Sequence, residues 1–367
     1  MKIILAAGGT GGHFFPAVGL YETIRTTRKD YETIFFTSHR QRHFAHLLPK
    51  KTYYIKSIGF SRRNPLAIVI FLLYLLRNTV GALYVFLKEK PNAVVGFGGY
   101  VASAPILAAL LLGIPYILHE QNSVPGKANR LFARKAEKVL TSLKTSKEYW
   151  PAKAQSKIVH TGIPLRKNVA PANSNKSVSN DKHLFTVLII GGSQGAHIFA
   201  EWVQNLLGEL KSIRQKMLFI HLCAQSDIEF LENIYTEYDM PHECYGFHER
   251  MSDIYSRCTM AICRAGASTL YELAVWQIPA IIVPYPYAAD NHQFINAQSI
   301  AYPEWYTVVE QHEGAPLAIA SHIIRMFDKH KIGSLTKPSA VEVCAHNAGE
   351  KIIGIIENDR KIIGVRR

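Results

Sequence analysis

Twice in this 367-residue chain an apolar run enters a glycine-rich turn that ends in histidine, and no other feature limits its possible folds as strongly. KIILAA leads into GGTGGH at Gly8 to His13, and FTVLII leads into GGSQGAH at Gly191 to His197. The first glycines are 183 residues apart. Between a strand and a helix, such a turn lets backbone N–H groups approach a phosphate at the positive end of the helix dipole. Single cores stop growing near ~250 to 300 residues, so each copy has enough chain behind it to build its own domain. Neither loop matches the dinucleotide fingerprint or a Walker A loop. Alone, each would serve equally well as a packing turn; two copies favour ligand binding.

Short runs of branched and aromatic residues recur between helix-length segments. In the first half they are 2–7, 32–38, 92–97, 115–120, 138–143 and 157–162; in the second they are 185–191, 217–224, 260–266, 279–286 and 304–310. Strands apolar on both faces and alternating with helices predict parallel sheets covered on both sides. The expected fold class is therefore α/β, with two Rossmann-like doubly wound domains facing across a cleft. The first domain is expected over 1–163 and the second over 164–341, with a hinge near Gly162 to Lys167 and a loop over 170–183. A closing helix within 342–367, carrying Ile352, Ile353, Ile355 and Ile356 and ending in Arg366 and Arg367, is expected to pack back on the first domain.

The formal net charge of +14 favours phosphates, nucleic acid or an anionic membrane surface as partners. Five cysteines without a C-x-x-C pair argue against disulfides or a zinc ribbon and for a reducing compartment. The glycines that follow the N-terminal apolar run suit a strand better than a signal peptide. From Leu66 to Leu87 the chain is apolar apart from a central Arg77 and Asn78. Its uninterrupted part, Leu66 to Leu76, would make about 16 Å of helix against a hydrocarbon core of ~30 Å. A buried or interfacial helix is expected rather than a span.

Several residues could carry chemistry. His13 follows the first loop, ahead of a helix expected to begin near Pro16, and an imidazole there could accept a proton near neutral pH. Gly96 to Tyr100 forms a third glycine cluster after a strand. In CRAGASTLYELA, Thr269 and Glu272 have capping-box spacing, although Glu272 could equally accept both hydroxyls of a ribose. His119 to Asn122 and Asp290 to Gln293, with Asn296, are polar clusters suited to sugar hydroxyls or to helix caps. The sequence has no Asp-x-Asp, H-E-x-x-H or Cys/His ligand pattern, so no metal-chelating diphosphate site and no cofactor is expected, while the sequence does not fix whether turnover needs a divalent metal. Helix N-termini and basic side chains would then meet the charge of a diphosphate.

Taken in order, GGTGGHFFPA, FGGYVASAP, HEQN, GIPLR, GGSQGA, CRAGASTLYE and DNHQFINA resemble one family. It is the UDP-N-acetylglucosamine:N-acetylmuramyl-(pentapeptide) pyrophosphoryl-undecaprenol N-acetylglucosamine transferases, the peptidoglycan enzymes that add N-acetylglucosamine to lipid I. The resemblance covers nearly the whole chain. It implies a GT-B fold whose first domain takes a polyprenyl-diphosphate-linked acceptor and whose second binds the UDP-sugar donor. Carried over by motif, Thr10, Gly11, Gly12, Asn122, Arg166, Ser193, Gln194, His248, Ala267, Ser268, Thr269, Leu270 and Gln293 would contact the donor. Glu272 would hold its ribose, and Gly98, Gly99 and Tyr100 the acceptor diphosphate. His13 is the candidate base. His248 and Ala104 depart from the family, which has an apolar residue and a glycine at those positions. The resemblance places the enzyme peripherally on the cytoplasmic face of the cell membrane. There Leu66 to Leu87, flanked by Arg62, Arg63, Lys88 and Lys90, would dock on anionic lipid. Other cell-wall enzymes are further partners such a role allows.

Two readings compete. A different UDP-sugar enzyme of the same fold, such as a 2-epimerase, would keep the nucleotide site without needing the apolar segment. A nucleic-acid binder would need a basic stripe interleaved with stacking aromatics, and the sequence has none.

Overall fold

The computed structural model describes residues 1–56, 65–143, 147–171, 184–192, 195–300, 305–331, 347–359, 362 and 364. Arg62, Arg63, Ser193, Gln194, Cys344, Arg366, Arg367 and most of the loop expected over 170–183 lie outside them. The chain forms two units. One comprises Met1–Arg166 with Ala345–Arg367, and the other Lys167–Cys344.

In the first unit the elements run β1 (Lys2–Ala6), α1 (Gly11–Thr27), β2 (Glu32–Ser38), β3 (Thr52–Ile55), α2 (Pro65–Glu89) and β4 (Ala93–Gly96). They continue with α3 (Gly99–Leu112), β5 (Tyr116–Glu120), α4 (Lys127–Phe132), β6 (Lys138–Thr141), α5 (Ala152–Gln155) and β7 (Ile158–His160). The seven strands are parallel in the order β3-β2-β1-β4-β5-β6-β7. Because side chains alternate along a strand, both faces of β1 must be apolar for it to lie mid-sheet. Ile3 and Leu5 pack with Phe14, Val18 and Phe35 on one face, while Ile4 and Ala6 pack with Phe36, Phe86 and Ile106 on the other.

In the second unit the order is β8 (Phe185–Ile190), α6 (His197–Glu209), β9 (Met217–Leu222), α7 (Ile228–Glu237), β10 (His242–Tyr245) and α8 (Met251–Tyr255). Then come β11 (Met260–Cys263), α9 (Ala267–Val275), β12 (Ala280–Ile282), α10 (His292–Ile300), β13 (Tyr306–Val308) and α11 (Ala315–Lys331). Six parallel strands lie in the order β10-β9-β8-β11-β12-β13. The last helix, α12 (Ala348–Asn358), returns to the first unit, where Ile352, Ile353 and Ile356 are buried against the α1 side of the sheet.

Strands β3 and β10 have no counterpart among the apolar runs. Both are sheet edges of four partly exposed residues, TYYI and HECY, so neither needs a continuous apolar sequence. Helix α2 is 25 residues long and is not a core helix. Its buried residues are Thr79, Ala82, Val85 and Phe86, whereas Leu66, Val69, Leu72, Leu73, Leu76, Val80 and Leu87 are each more than half exposed.

In each sheet the strand order reverses beside the first strand, between β1 and β4 and between β8 and β11. Loops at these points leave toward opposite faces and open a crevice at the carboxyl ends of the strands, where open α/β sheets bind ligands.

Candidate active site

The crevice of the first unit is built by the loops after β1 and β4. Helix α1 begins at Gly11, five residues before the start expected near Pro16, which puts His13 in its first turn. Helix α3 begins at Gly99 after Gly98, and both glycines have positive φ, 72° and 87°. A Cβ on Gly99 would lie 2.8 Å from the Gly8 carbonyl oxygen and 3.2 Å from Cδ2 of His13. Only glycine lets the two loops close in this way and lay the imidazole against the start of α3. Tyr100 follows, part-exposed, with its ring edge-on to Phe71 of α2.

The HEQN run leaves β5 beside these loops. His13 Nδ1 lies 2.6 Å from Oε1 of Gln121, and Gln121 Nε2 lies 2.9 Å from Nδ1 of His119, both at hydrogen-bond distance. The buried Glu120 carboxylate accepts from the Asn122 and Gly126 backbone amides and from Asn129 Nδ2, at 2.8 to 3.0 Å. This lattice fixes the loop that carries Asn122. Arg166 is buried and its guanidinium lies 4.2 Å over the Phe15 ring, next to the first glycine loop in sequence.

In the second unit, the turn after β8 is as tight. A Cβ on Gly191 would lie 2.1 Å from the Ala196 nitrogen, and Gly195 has a φ of 66°. His197 opens α6 and pairs with Asp227 at 3.0 Å; the carboxylate raises the imidazole pKa and the imidazole lowers that of the carboxyl. Ala267, Ser268, Thr269 and Leu270 form the first turn of α9, whose N-cap is Gly266 with no side-chain cap. Ser268 Oγ is buried there and has no hydrogen-bond partner among the described residues. Thr269 and Glu272 do not form the expected capping box, because Thr269 already lies in the first turn and Glu272 in the second. Instead Oε2 of Glu272 accepts from the buried Tyr255 hydroxyl at 2.6 Å.

Gln293 accepts from the Tyr285 backbone amide at 3.0 Å, and Asn296 donates to the Ala265 carbonyl at 3.1 Å. Those two bonds tie α10 to the loops after β12 and β11. His248 sits 5.1 Å from the Tyr245 ring, with its Nε2 buried and without a hydrogen-bond partner among the described residues. Sequence reasoning did not single out Arg264, which donates to the carbonyls of Val283 and Pro284 and to Gln311. Its guanidinium also lies 5.2 Å from the Phe199 ring and 5.4 Å from that of Tyr285, and burial lowers its pKa. Tyr255 was missed too, since its hydroxyl meets Glu272 across 17 residues of sequence.

Two glycine-lined crevices of one design, one bearing an imidazole and the other a hydroxyl-buttressed carboxylate, suit the handling of an activated phosphosugar. The N-terminal domain profile of glycosyltransferase family 28 matches residues 3–141 and its C-terminal domain profile matches 186–347. Curated relatives from Rickettsia bellii and Rickettsia canadensis are 35% and 37% identical over 90% of this chain and 92% of their own. Both carry the name UDP-N-acetylglucosamine--N-acetylmuramyl-(pentapeptide) pyrophosphoryl-undecaprenol N-acetylglucosamine transferase. The crystal structure of Acinetobacter baumannii MurG superposes with a TM-score of 0.71 at 26% identity, covering 98% of this chain and 99% of that one. A UDP-GlcNAc 2-epimerase from Neisseria meningitidis reaches 0.66 at 10% identity, covering 98% of this chain and all of the other, a likeness of fold alone. The fold is GT-B, and the chain is a hexosyltransferase by class. It belongs to glycosyltransferase family 28 and, within it, to the UDP-N-acetylglucosamine:N-acetylmuramyl-(pentapeptide) pyrophosphoryl-undecaprenol N-acetylglucosamine transferases.

Proposed function

We propose that this enzyme transfers N-acetylglucosamine from UDP-N-acetylglucosamine to the 4-hydroxyl of the muramyl sugar of lipid I, giving lipid II and UDP. The observation that carries the chemistry is the His13 imidazole lying against the glycine start of α3, at the switch point of the first sheet. His13 takes the proton of the acceptor hydroxyl as its oxygen attacks the anomeric carbon. The bond from that carbon to the diphosphate oxygen breaks on the opposite face, its electron pair leaves with UDP, and the configuration inverts. Backbone amides of the Gly191 to Gly195 turn and of the α9 start, with Ser268 Oγ, meet the charge growing on the leaving diphosphate. Glu272, oriented by Tyr255, accepts the ribose hydroxyls. Gly98, Gly99 and Tyr100 face the acceptor diphosphate, while Thr10, Gly11, Gly12, Asn122, Arg166, Ser193, Gln194, His248 and Gln293 complete the donor contacts.

The acceptor's lipid stays in the bilayer, so the enzyme docks on the cytoplasmic face of the membrane. Helix α2 is ~37 Å long at ~1.5 Å per residue, enough to cross a hydrocarbon core. It lies on the surface nonetheless. Thr79, Ala82, Val85 and Phe86 hold one side on the domain, and the opposite side exposes leucines and valines beside Arg77 and Lys88, a pattern that suits a headgroup boundary.

A transfer assay with a detergent-solubilised lipid I analogue and a panel of UDP-sugars tests this reading. We expect turnover with UDP-N-acetylglucosamine, a raised donor KM in Glu272→Ala, and a kcat lowered by about 10² to 10⁴ in His13→Ala, the range general acid–base catalysis contributes. Unchanged kinetics in both variants would overturn the assignments.

A further inference from the structure

His13 is joined through Gln121 and His119 to a backbone carbonyl, and the direction of every bond in that chain follows from its last member. The Gly162 carbonyl can only accept, so His119 Nε2, 3.0 Å away, carries the proton. His119 is fully buried, and desolvation lowers its pKa to about 4, opposed by the Gly162 bond and assisted by the nearby His13 ring. It is therefore a neutral imidazole whose Nδ1 accepts. The Gln121 amide must present its nitrogen to that atom, and the same nitrogen also donates to the His119 carbonyl at 3.2 Å. Turning the amide over would set its oxygen against that carbonyl and against a lone pair of His119. Gln121, 2% exposed, thus has only its oxygen left for His13, and Nδ1 of His13 must be the protonated nitrogen.

From this geometry we infer that His119 and Gln121 are positioning residues that hold His13 as its Nδ1–H tautomer, leaving the Nε2 lone pair as the proton acceptor. The inference rests on the proposed role of His13 as base and extends it from a residue to an atom. Nε2 is on the ring edge toward Gly99, where an added Cβ would lie 3.2 Å from Cδ2 and 3.8 Å from Nε2. Nδ1 is on the edge toward Gln121. A neutral imidazole without such a partner divides itself between two tautomers, and the one with Nε2 protonated cannot take up a proton there. Neither His119 nor Gln121 needs to touch substrate.

The test combines ring-nitrogen NMR of histidine-labelled full-length protein with steady-state kinetics. The wild-type spectrum, with the His13 signals assigned by their loss in His13→Gln, should show Nδ1 protonated and Nε2 bare. His119→Leu removes the shorter of the two acceptors of Gln121 Nε2, leaving only the 3.2 Å bond to the carbonyl of residue 119, and should give a tautomer mixture and a kcat at least about tenfold lower, at a donor KM within about twofold, well inside the range for loss of a general base. His119→Asn keeps an oxygen where Nδ1 was and should restore the tautomer and most of kcat, a rescue that a purely structural role would not give. A wild-type His13 protonated on Nε2, or a His119→Leu protein with unchanged tautomer and turnover, would overturn the inference. The wild-type spectrum alone decides the matter if His119→Leu fails to fold. Full turnover by His13→Ala would instead overturn the base assignment, and the wild-type spectrum separates that failure from failure of the relay.

Discussion

Gly99 has to be glycine on two independent grounds: its φ of 72° and the 2.8 Å between a would-be Cβ and the Gly8 carbonyl. A strained φ alone costs of order 1 to 3 kcal/mol, and a Cβ here would also press on the His13 ring. Gly99→Ala should therefore lower stability by at least about 1 kcal/mol in urea titration and reduce kcat more than donor KM. Gly113 also has positive φ but has open space around it, so Gly113→Ala should show the backbone cost without the catalytic one. Sequence spacing made His13 visible because it follows a glycine-rich turn after a strand, and Glu272 because it stands three residues after Thr269 where a strand gives way to a helix. Their partners were not visible. Gln121 lies 108 residues from His13, and no local pattern signals that their side chains meet.

Helix α2 separates two properties that composition merges. An apolar helix of this length reads equally well as a span, a core element or a docking surface, and the direction its apolar side chains face is set by the rest of the domain. Because one side packs against the sheet unit and the other does not, replacing Leu72, Leu73 and Leu76 with Ser should cut binding to anionic vesicles at least tenfold. Turnover of a short-chain, detergent-soluble acceptor should change by less than twofold. Each leucine loses ~1.5 to 3 kcal/mol of burial if it is fully inserted, so a smaller effect on vesicle flotation would remove α2 from the docking surface. At the scale of elements the strands were the most legible part. The eleven apolar runs all contain strands; nine of these lie mid-sheet, where a parallel strand must be apolar on both faces, and the other two are the edges β7 and β13. The edges β3 and β10 escaped because a half-covered strand carries no such requirement.

Across the molecule, among the described residues, each unit buries one neutral histidine in an interior strand: His119 in β5 and His221 in β9. Desolvation lowers their pKa values to about 4 and about 3 from an ordinary 6.5. The unfolded chain takes up these protons first as pH falls, so this contribution is complete above pH ~6.5 and is lost progressively from there down to about 4 for His119 and about 3 for His221. Each histidine can steepen the loss by up to about 1.4 kcal/mol per pH unit. The raised pKa of His197 works in the opposite sense, but that side chain is largely exposed and its effect is screened. Urea midpoints measured from pH 7.5 to 5 should fall steadily, and His221→Phe should flatten the fall by about half. An unchanged slope in that variant would rule out buried histidine as its cause.

From the order of residues alone came the doubled glycine turn, the alternation of strands and helices, the positive charge and hence two doubly wound domains bearing glycine-rich turns. All of these depend on local backbone chemistry or on periodicity, which neighbours in sequence are enough to encode. Folding alone settled that His13 meets Gln121, that Glu272 meets Tyr255 rather than capping a helix, and which side of α2 is left uncovered. Those are contacts between distant segments and directions of side chains, and they exist only once the strand order has brought the carboxyl ends of the sheet together.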